Sequence, residues 1–253
     1  MDNVVRTLVP RSMAVAWAAA IAVAFIMSFQ FGAATVRAES NAEVDKRCPE
    51  AALEHAQLLS KRHIPKDVLS VTRPALRAEL LQMEHADQDA RDVFIAAMAG
   101  GDLPDDHPAR VHAIQVDAVN LQGLKHIILQ DGFPTIAMVG VDGVQAAFLL
   151  TQHADSDPAF QERMLRVVTS RLRDGEITGN EYALLTDRVL RAQGRPQRYG
   201  TQFEERGGDW KVEPIADENH VDERRHALGL ISLANYSCKI RVVYGPAHST
   251  SDK

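Results

Sequence analysis

Apolar residues recur at three- and four-residue spacings through most of the chain, which is the period of helices with one buried face. Pro74 and Pro158 stand in the first turn of two such stretches, and Gly194 follows the end of another. The predicted helices cover residues 49–62, 74–99, 109–130, 142–153, 158–173, 180–193 and 221–228. The pattern therefore predicts a mainly α-helical protein.

The late part of the chain has a different pattern. Residues 199–205 and 210–214 flank a short polar turn that contains two glycines, which is typical of a β-hairpin. A further apolar run over residues 239–244 predicts a terminal strand. We expect a single helical domain over residues 74–245 with a small β-hairpin late in the chain, and a disordered tail over residues 246–253.

The first 38 residues predict export from the cytoplasm. Residues 13–36 contain no charged side chain and follow two arginines, and a cleavage motif for a signal peptide ends at Ala38. The uncharged run is close to the roughly 20 residues that span a bilayer, so an anchor in the inner membrane over residues 13–36 is the alternative. We expect an exported protein, periplasmic or extracellular, that touches a membrane only through this segment if it is not cleaved. Residues 39–73 form a polar linker and the short first helix.

Composition excludes one class of partner and leaves one structural question open. The net charge of −6 provides no basic surface, so nucleic-acid binding is not expected. Cys48 and Cys238 are the two cysteines. Exported proteins form disulfides, so these residues could be bridged; the alternative is two separate buried thiols, because sequence does not show whether they come within bonding distance.

Charged residues interrupt the predicted apolar faces of several helices. They are Asp87 and Arg91 in the first long helix, Asp117 in the second, His153 and Asp155 at the end of the third, and Asp187 and Arg188 in the fifth. An unpaired buried charge costs several kcal/mol, so we expect these groups to pair with one another or to line a shared polar pocket. For each residue alone, a surface ion pair or a helix cap is the alternative.

Short motifs occur along the chain in a characteristic order. They are DQxxR at 87–91, GxPT at 132–135, QHAD at 152–155, DRV at 187–189 and PQxYGTQ at 196–202. Together they resemble a bacterial domain family of unknown function, over roughly residues 76–236. Phe133 stands where we expect Trp in many members. The resemblance implies a common fold and a common site, and it implies no activity.

These residues are compatible with two classes of function. In an enzyme, which we expect to be a hydrolase, His153 would be the acid or base, oriented by Asp155 or Asp187, and Arg91 or Arg188 would hold an anionic group. The other predicted substrate-binding residues are Asp87, Gln88, Asp117, Gln197, Tyr199, Thr201 and Gln202. In the second class, the same residues form a ligand-binding or structural network without chemistry.

The chain carries no motif that names a reaction or a cofactor. A nucleophile elbow, an HExxH motif, a P-loop and a dinucleotide fingerprint are all absent from the sequence. A metal held by His153 with Asp87, Asp155 or Asp187 would lack a diagnostic spacing, so no metal is assigned. The expected partner is a small polar or anionic ligand, and the cofactor is unknown.

Overall fold

The structure is a computed structural model that describes residues 43–60, 70–98, 103–206 and 209–244. The predicted leader, the predicted tail and the two glycines at the tip of the hairpin lie outside the described residues. Within the described ranges, no helix combines the length and the apolar character needed to cross a bilayer.

Helices make up most of the described chain. In chain order they are α1 (Pro49–Ser60), α2 (Pro74–Met98), α3 (Pro108–Asp131), α4 (Ile136–Gln152), α5 (Pro158–Arg173), α6 (Gly179–Ala192), α7 (Val221–Ala227) and α8 (Leu233–Tyr244). A short 3₁₀ turn, Glu218–His220, precedes α7. Strands β1 (Phe203–Arg206) and β2 (Asp209–Val212) pair antiparallel, with Phe203 opposite Val212. The predicted helical fold with a late hairpin is confirmed.

Local capping explains where the helices that carry the site begin. Thr178 accepts a hydrogen bond from the Glu181 N–H, and the Glu181 side chain accepts one from the Thr178 N–H, so a capping box starts α6. Asp157 caps α5 in the same way by accepting from the Phe160 N–H. These caps fix the starts of the two helices that follow the QHAD segment in the chain.

Helix α4 begins at Ile136 rather than at the predicted residue 142. Thr135 caps this earlier start by accepting a hydrogen bond from the Met138 N–H. Gly140 then has a non-helical backbone, with a φ of 78° and a ψ of 173°, so α4 consists of two helical segments joined at a kink. The prediction missed the first segment because the glycine pair at 140 and 143 resembles a loop.

The predicted strand over residues 239–244 is wrong, because these residues belong to α8. Branched residues such as Ile240 and Val242 favour strands locally. In the structure Ile240 packs beside Phe203 of the hairpin, and Val242 packs in the cluster that contains Cys48 of the N-terminal segment. The two sides of a helix supply these two contacts, so tertiary packing overrides the local preference.

Helix α4 is the central element of the main apolar core. It packs against α2, α3, α5 and α6, and the buried core residues come from these five helices and the turns between them. Its middle carries Ala146 and Ala147, which have no exposed surface and let the neighbouring helices approach closely. The C-terminal end of α4 is different, because polar side chains from several helices converge there.

A disulfide joins the N-terminal segment to the last helix. Cys48 and Cys238 are bridged over a separation of 190 residues. Of the two arrangements that the sequence left open, the structure therefore has the bridge.

Candidate functional site

A network of charged residues lies where α4 ends between α2 and α3. Asp87 and Arg91 on α2, Asp117 on α3 and His153 at the end of α4 form what we call the polar cluster. Arg91 Nη2 donates to Asp87 Oδ1 at 3.1 Å and to Asp117 Oδ1 at 2.5 Å. His153 Nδ1 lies 2.8 Å from Asp87 Oδ1. The structure thus brings together four of the predicted site residues.

Asp87 is the centre of the polar cluster, and its side chain is 0% exposed. Its Oδ1 contacts His153 Nδ1 and Arg91 Nη2, and its Oδ2 accepts from Gln88 Nε2 at 2.8 Å and Arg91 Nε at 3.1 Å. Two donors on each oxygen use the whole hydrogen-bonding capacity of a carboxylate. Asp87 therefore holds Arg91 and His153 in place.

The contacts around His153 determine its tautomer. Arg91 Nε lies 3.0 Å from His153 Nδ1, but the same Nε also reaches Asp87 Oδ2. If Nδ1 accepted the arginine proton, two acceptors, Nδ1 and Asp87 Oδ1, would face each other at 2.8 Å. We infer that Nδ1 carries the proton and donates it to Asp87, which places the lone pair of the neutral ring on Nε2.

Burial and charge fix the protonation of His153 and Asp87. Burial lowers the pKa of His153 and the charge of Arg91 lowers it further, against the opposing effect of Asp87, so the imidazole is neutral at pH 7. Burial alone would raise the pKa of Asp87, but His153 and Arg91 outweigh it and hold that pKa well below its usual range. Because the imidazole is neutral, Arg91 is the cation that keeps Asp87 ionised.

Asp117 differs from the rest of the polar cluster because it reaches solvent and titrates near neutrality. Its side chain is 22% exposed. Burial raises the pKa of Asp117 to about 7 against the opposing charge of Arg91, and the negative charges of Asp87 and Asp155 add to the rise. Both the protonated and the ionised form of this carboxyl are therefore populated near pH 7.

A second ion pair lies within electrostatic range of the polar cluster. Arg188 Nη1 donates to both oxygens of Asp155, at 2.8 and 2.7 Å, and Gln161 Nε2 donates to Asp155 Oδ1 at 3.0 Å. The Asp155 side chain is 33% exposed, whereas that of Arg188 is buried. Burial would raise the pKa of Asp155, but Arg188 outweighs it and lowers that pKa, so Asp155 is ionised at pH 7.

All of these residues fall inside one stretch that matches a known family. A model of a family of unknown function, DUF6624, matches residues 74–247. The chain belongs to DUF6624. The family membership predicted from the order of the motifs is therefore confirmed. No curated protein and no solved structure matches the chain.

The PQxYGTQ motif of this DUF6624 domain forms a loop around Asp187. Asp187 Oδ1 accepts from the backbone N–H groups of Arg198 at 2.7 Å and Tyr199 at 3.0 Å. Its Oδ2 accepts from the N–H and the hydroxyl of Thr201, both at 2.9 Å. The carboxylate thus takes amide protons that a strand partner would otherwise take, and β1 begins only at Phe203. The prediction of a strand from residue 199 is wrong for this reason.

Two glutamines brace the same loop from inside. Gln197 Nε2 donates to the carbonyls of Gln202 and Glu213 at 2.9 and 3.0 Å, and Gln197 Oε1 accepts from the Gln202 N–H at 2.6 Å. Gln202 Nε2 donates to Thr201 Oγ1 at 3.1 Å. These described contacts hold the loop in shape and do not reach the polar cluster. Gln197, Tyr199, Thr201 and Gln202, predicted to bind substrate, therefore have the contacts of loop-bracing residues.

The residue at His153 Nδ1 is Asp87, which was predicted to bind substrate. Asp155 or Asp187 was expected to orient the imidazole, whereas the structure has Asp87 at Nδ1. Asp187 and Arg188 are consecutive on α6, so their side chains leave the helix about 100° apart. Asp187 therefore faces the loop while Arg188 faces Asp155.

Arg91 occupies the position that a metal ion would take in the polar cluster. Asp87, Asp117 and His153 each offer one ligand atom, and these atoms lie within 4.8 Å of one another. The guanidinium of Arg91 already donates to both carboxylates. A second cation at this point would be repelled by the first. The arginine therefore balances the charge that a metal would otherwise balance in this DUF6624 domain.

Gln161 belongs to the site and was not among the predicted site residues. It is buried, and its amide also donates to the Gln152 carbonyl at 2.9 Å. It shares one face of α5 with Met164 and Val168, which follow at three and seven residues. The signal was therefore a polar residue in an apolar stripe, the same signal that indicated Asp117.

Proposed function

We propose that the polar cluster is the acid–base site of a hydrolase for a small polar substrate. The observation that carries this proposal is Asp117, a carboxyl with a pKa of about 7 at the solvent-facing edge of an otherwise buried network. Such a group gives and takes protons readily at neutral pH, which general acid–base catalysis requires.

In this proposal Asp117 takes a proton from a water molecule that attacks the substrate, and returns it to the leaving group. Arg91 Nη2 donates to Asp117 and fixes the direction of its carboxyl. Asp87 and His153 act through Arg91, because both are almost fully buried. His153 is therefore a positioning residue here, although the sequence favoured it as the acid or base.

The arrangement of charge favours a neutral or positively charged substrate over an anion. Two ion pairs balance their own charges: Asp87 with Arg91, and Asp155 with Arg188. The two carboxyls at the surface, Asp117 and Asp155, are 22% and 33% exposed, and the arginines lie buried behind them. An approaching phosphate or carboxylate would meet negative charge first. We therefore narrow the proposed substrate to polar compounds without a negative charge near the scissile bond.

A purely structural network is the second candidate. It is favoured by Asp87, whose hydrogen-bonding capacity is fully used inside the protein. Saturated buried networks specify one packing and need no ligand. The two candidate functions differ at Asp117. A structural network does not need a carboxyl whose pKa lies near 7, whereas an acid–base site does.

The test compares Asp117→Asn with the wild type on chromogenic esters, anilides and glycosides, each in a neutral and an anionic form. We expect the wild type to hydrolyse at least one neutral probe, with a rate that rises with pH around 7 as Asp117 ionises. Asp117→Asn should lose at least about 100-fold in rate, with a Tm at pH 7 no lower than that of the wild type. Equal rates for both proteins, or no turnover of any probe by the wild type, would support the structural network.

We also propose that this enzyme works outside the cytoplasm. The uncharged stretch at 13–36 and the Cys48–Cys238 bridge support this, because disulfides persist in oxidising compartments. Mass spectrometry of the mature protein distinguishes the two forms of export. A chain that begins at Glu39 indicates a cleaved signal peptide, and an intact N-terminus indicates the anchor.

A further inference from the structure

Residues 43–60, which we call the N-terminal strap, lie outside the family-matched domain and pack along α8. The main helix-to-helix contact of α1 is with α8. Cys48 and Ala51 of the strap are buried in an apolar cluster with Ile231, against which Tyr236, Cys238 and Val242 also pack. Asp45 adds an ion pair with Lys239 at 3.0 Å. The described contacts of the strap thus lie mainly along α8.

Glu54 is the polar centre of this attachment and contacts the residues at the start of α8. Its carboxylate accepts from the N–H of Ser232 at 2.9 and 3.0 Å, from the Ser232 hydroxyl at 3.0 Å and from Asn235 Nδ2 at 2.6 Å. His226 Nε2 lies 2.9 Å from the same carboxylate. A carboxylate at the first turn of a helix is favourable because the N–H groups there lack helical partners. The strap therefore adds a carboxylate beside the start of α8, where Asp222 accepts from the Leu233 N–H and the Ser232 hydroxyl accepts from the Asn235 N–H.

The main core of the domain does not use the strap. Its buried residues lie between Leu76 and Val189, and none belongs to residues 43–60. Loss of the strap would expose the Ile231 side of α8 and leave the packing around α4 intact. The strap is therefore attached to a domain that has its own core.

The disulfide is placed so that a reductant can reach it. Cys48 is buried, whereas Cys238 is partly exposed. A thiolate of a dithiol reductant would attack Cys238 Sγ, form a mixed disulfide and release the Cys48 thiolate, which takes up a proton. The second thiol of the reductant then displaces Cys238 as a thiol, and the reductant leaves as a cyclic disulfide that has lost two electrons.

We propose that the N-terminal strap is a redox-controlled latch: a dithiol that reduces Cys48–Cys238 releases residues 43–60 from α8, while the family domain stays folded. The bridge is the covalent part of the attachment, and the other described contacts come from Asp45 and from the short helix α1. Helices of this length are marginal on their own, so the strap loses its helical order when it leaves α8.

Hydrogen–deuterium exchange of the full chain, read by mass spectrometry with and without dithiothreitol, tests the latch. Because the disulfide is reduced in the folded wild-type protein, the experiment does not depend on a cysteine variant that must fold. We expect exchange in peptides from residues 43–60 to accelerate at least about tenfold, and exchange in α4 to stay unchanged. Unchanged exchange in the strap would overturn the proposal, and so would an equal acceleration in α4, since the bridge would then hold the whole domain.

A matched pair of variants separates the bridge from the polar contacts. Glu54→Gln weakens the contacts with Ser232 and Asn235 and leaves the disulfide, so the oxidised variant should keep its strap protected. After reduction its strap should exchange faster than that of the reduced wild type. Glu50→Gln, at an exposed position of the same helix, is the control and should match the wild type in both states. Release of the strap in oxidised Glu54→Gln would show that the carboxylate, and not the bridge, is the latch.

Discussion

Replacing Asp87 with Asn removes the negative charge at the centre of the polar cluster with almost no change in shape. The carboxylate makes four hydrogen-bonding contacts with Gln88, Arg91 and His153. Asn offers one acceptor oxygen, and its amide protons would face donors on the other side. The variant therefore leaves a buried arginine with Asp117 as its only carboxylate partner in the polar cluster.

The cost of Asp87→Asn follows from burial. The side chain is 0% exposed, so water does not replace the lost hydrogen bonds. Removing one partner of a buried ion pair costs about 3–5 kcal/mol. Because Arg91 keeps its contact with Asp117, the lower end applies, and we expect the free energy of unfolding to fall by about 3 kcal/mol.

Urea denaturation at pH 7, followed by circular dichroism, measures this change. Asp89→Asn is the control, since Asp89 is exposed on the same helix and its replacement should change stability by less than about 0.5 kcal/mol. Carboxyl-carbon NMR supplies a second readout: the pKa of Asp117 should fall in Asp87→Asn, because the Asp87 charge raises it. A stability loss below about 1 kcal/mol, or an unchanged pKa of Asp117, would refute the reasoning.

Other substitutions test the titration, the cation position and one loop. The folded pKa of Asp117, about 7, lies above its ordinary value of 3.8, so the stability it contributes is complete below pH 3.8 and is lost as the pH rises through 7. Relative to Asp117→Asn, the wild type should lose about 1 kcal/mol of unfolding free energy per pH unit in this window, and parallel pH profiles would contradict that pKa. Arg91→Ala removes the cation that lies among the ligand atoms of Asp87, Asp117 and His153, which are within 4.8 Å of one another. Zn²⁺ should therefore raise the Tm of this variant and leave that of the wild type unchanged. An equal rise in both proteins would refute the charge argument. Gly200→Ala places a Cβ 2.7 Å from Ile215 Cδ1, whereas Gly194→Ala, at a similar positive φ, meets no atom within 4 Å. In urea denaturation, Gly200→Ala should lower the free energy of unfolding by about 1–3 kcal/mol more than Gly194→Ala. Equal losses of stability would exclude packing as the cause.

The sequence predicted the helices best where both the period and the end signals were present. Helix α5 and helix α6 match their predicted ranges closely, because an amphipathic face coincides with a capping residue in each. The start of α4 and the identity of α8 were missed. In both cases the local signal, a glycine pair or a run of branched residues, pointed away from the helix that packing favours.

The sequence also indicated every member of the polar cluster but not their roles. Asp87, Arg91, Asp117 and His153 were visible because each places a polar group on a predicted apolar face. Periodicity shows which residues are buried together on one helix, and it carries no information about which residue of another helix they meet. The pairing of His153 with Asp87 therefore appeared only in the structure.

Helical periodicity and motif order thus determined the fold class and the family, because both are read along the chain without knowing which residues meet in space. The protonation of the site depends on tertiary structure. The pKa of Asp117 reflects burial and the charges of Asp87, Arg91 and Asp155, which come from other elements. The Cys48–Cys238 bridge likewise needs two residues 190 positions apart to meet. Electrostatic and covalent contacts depend on distance in space, and only the packed helices set that distance.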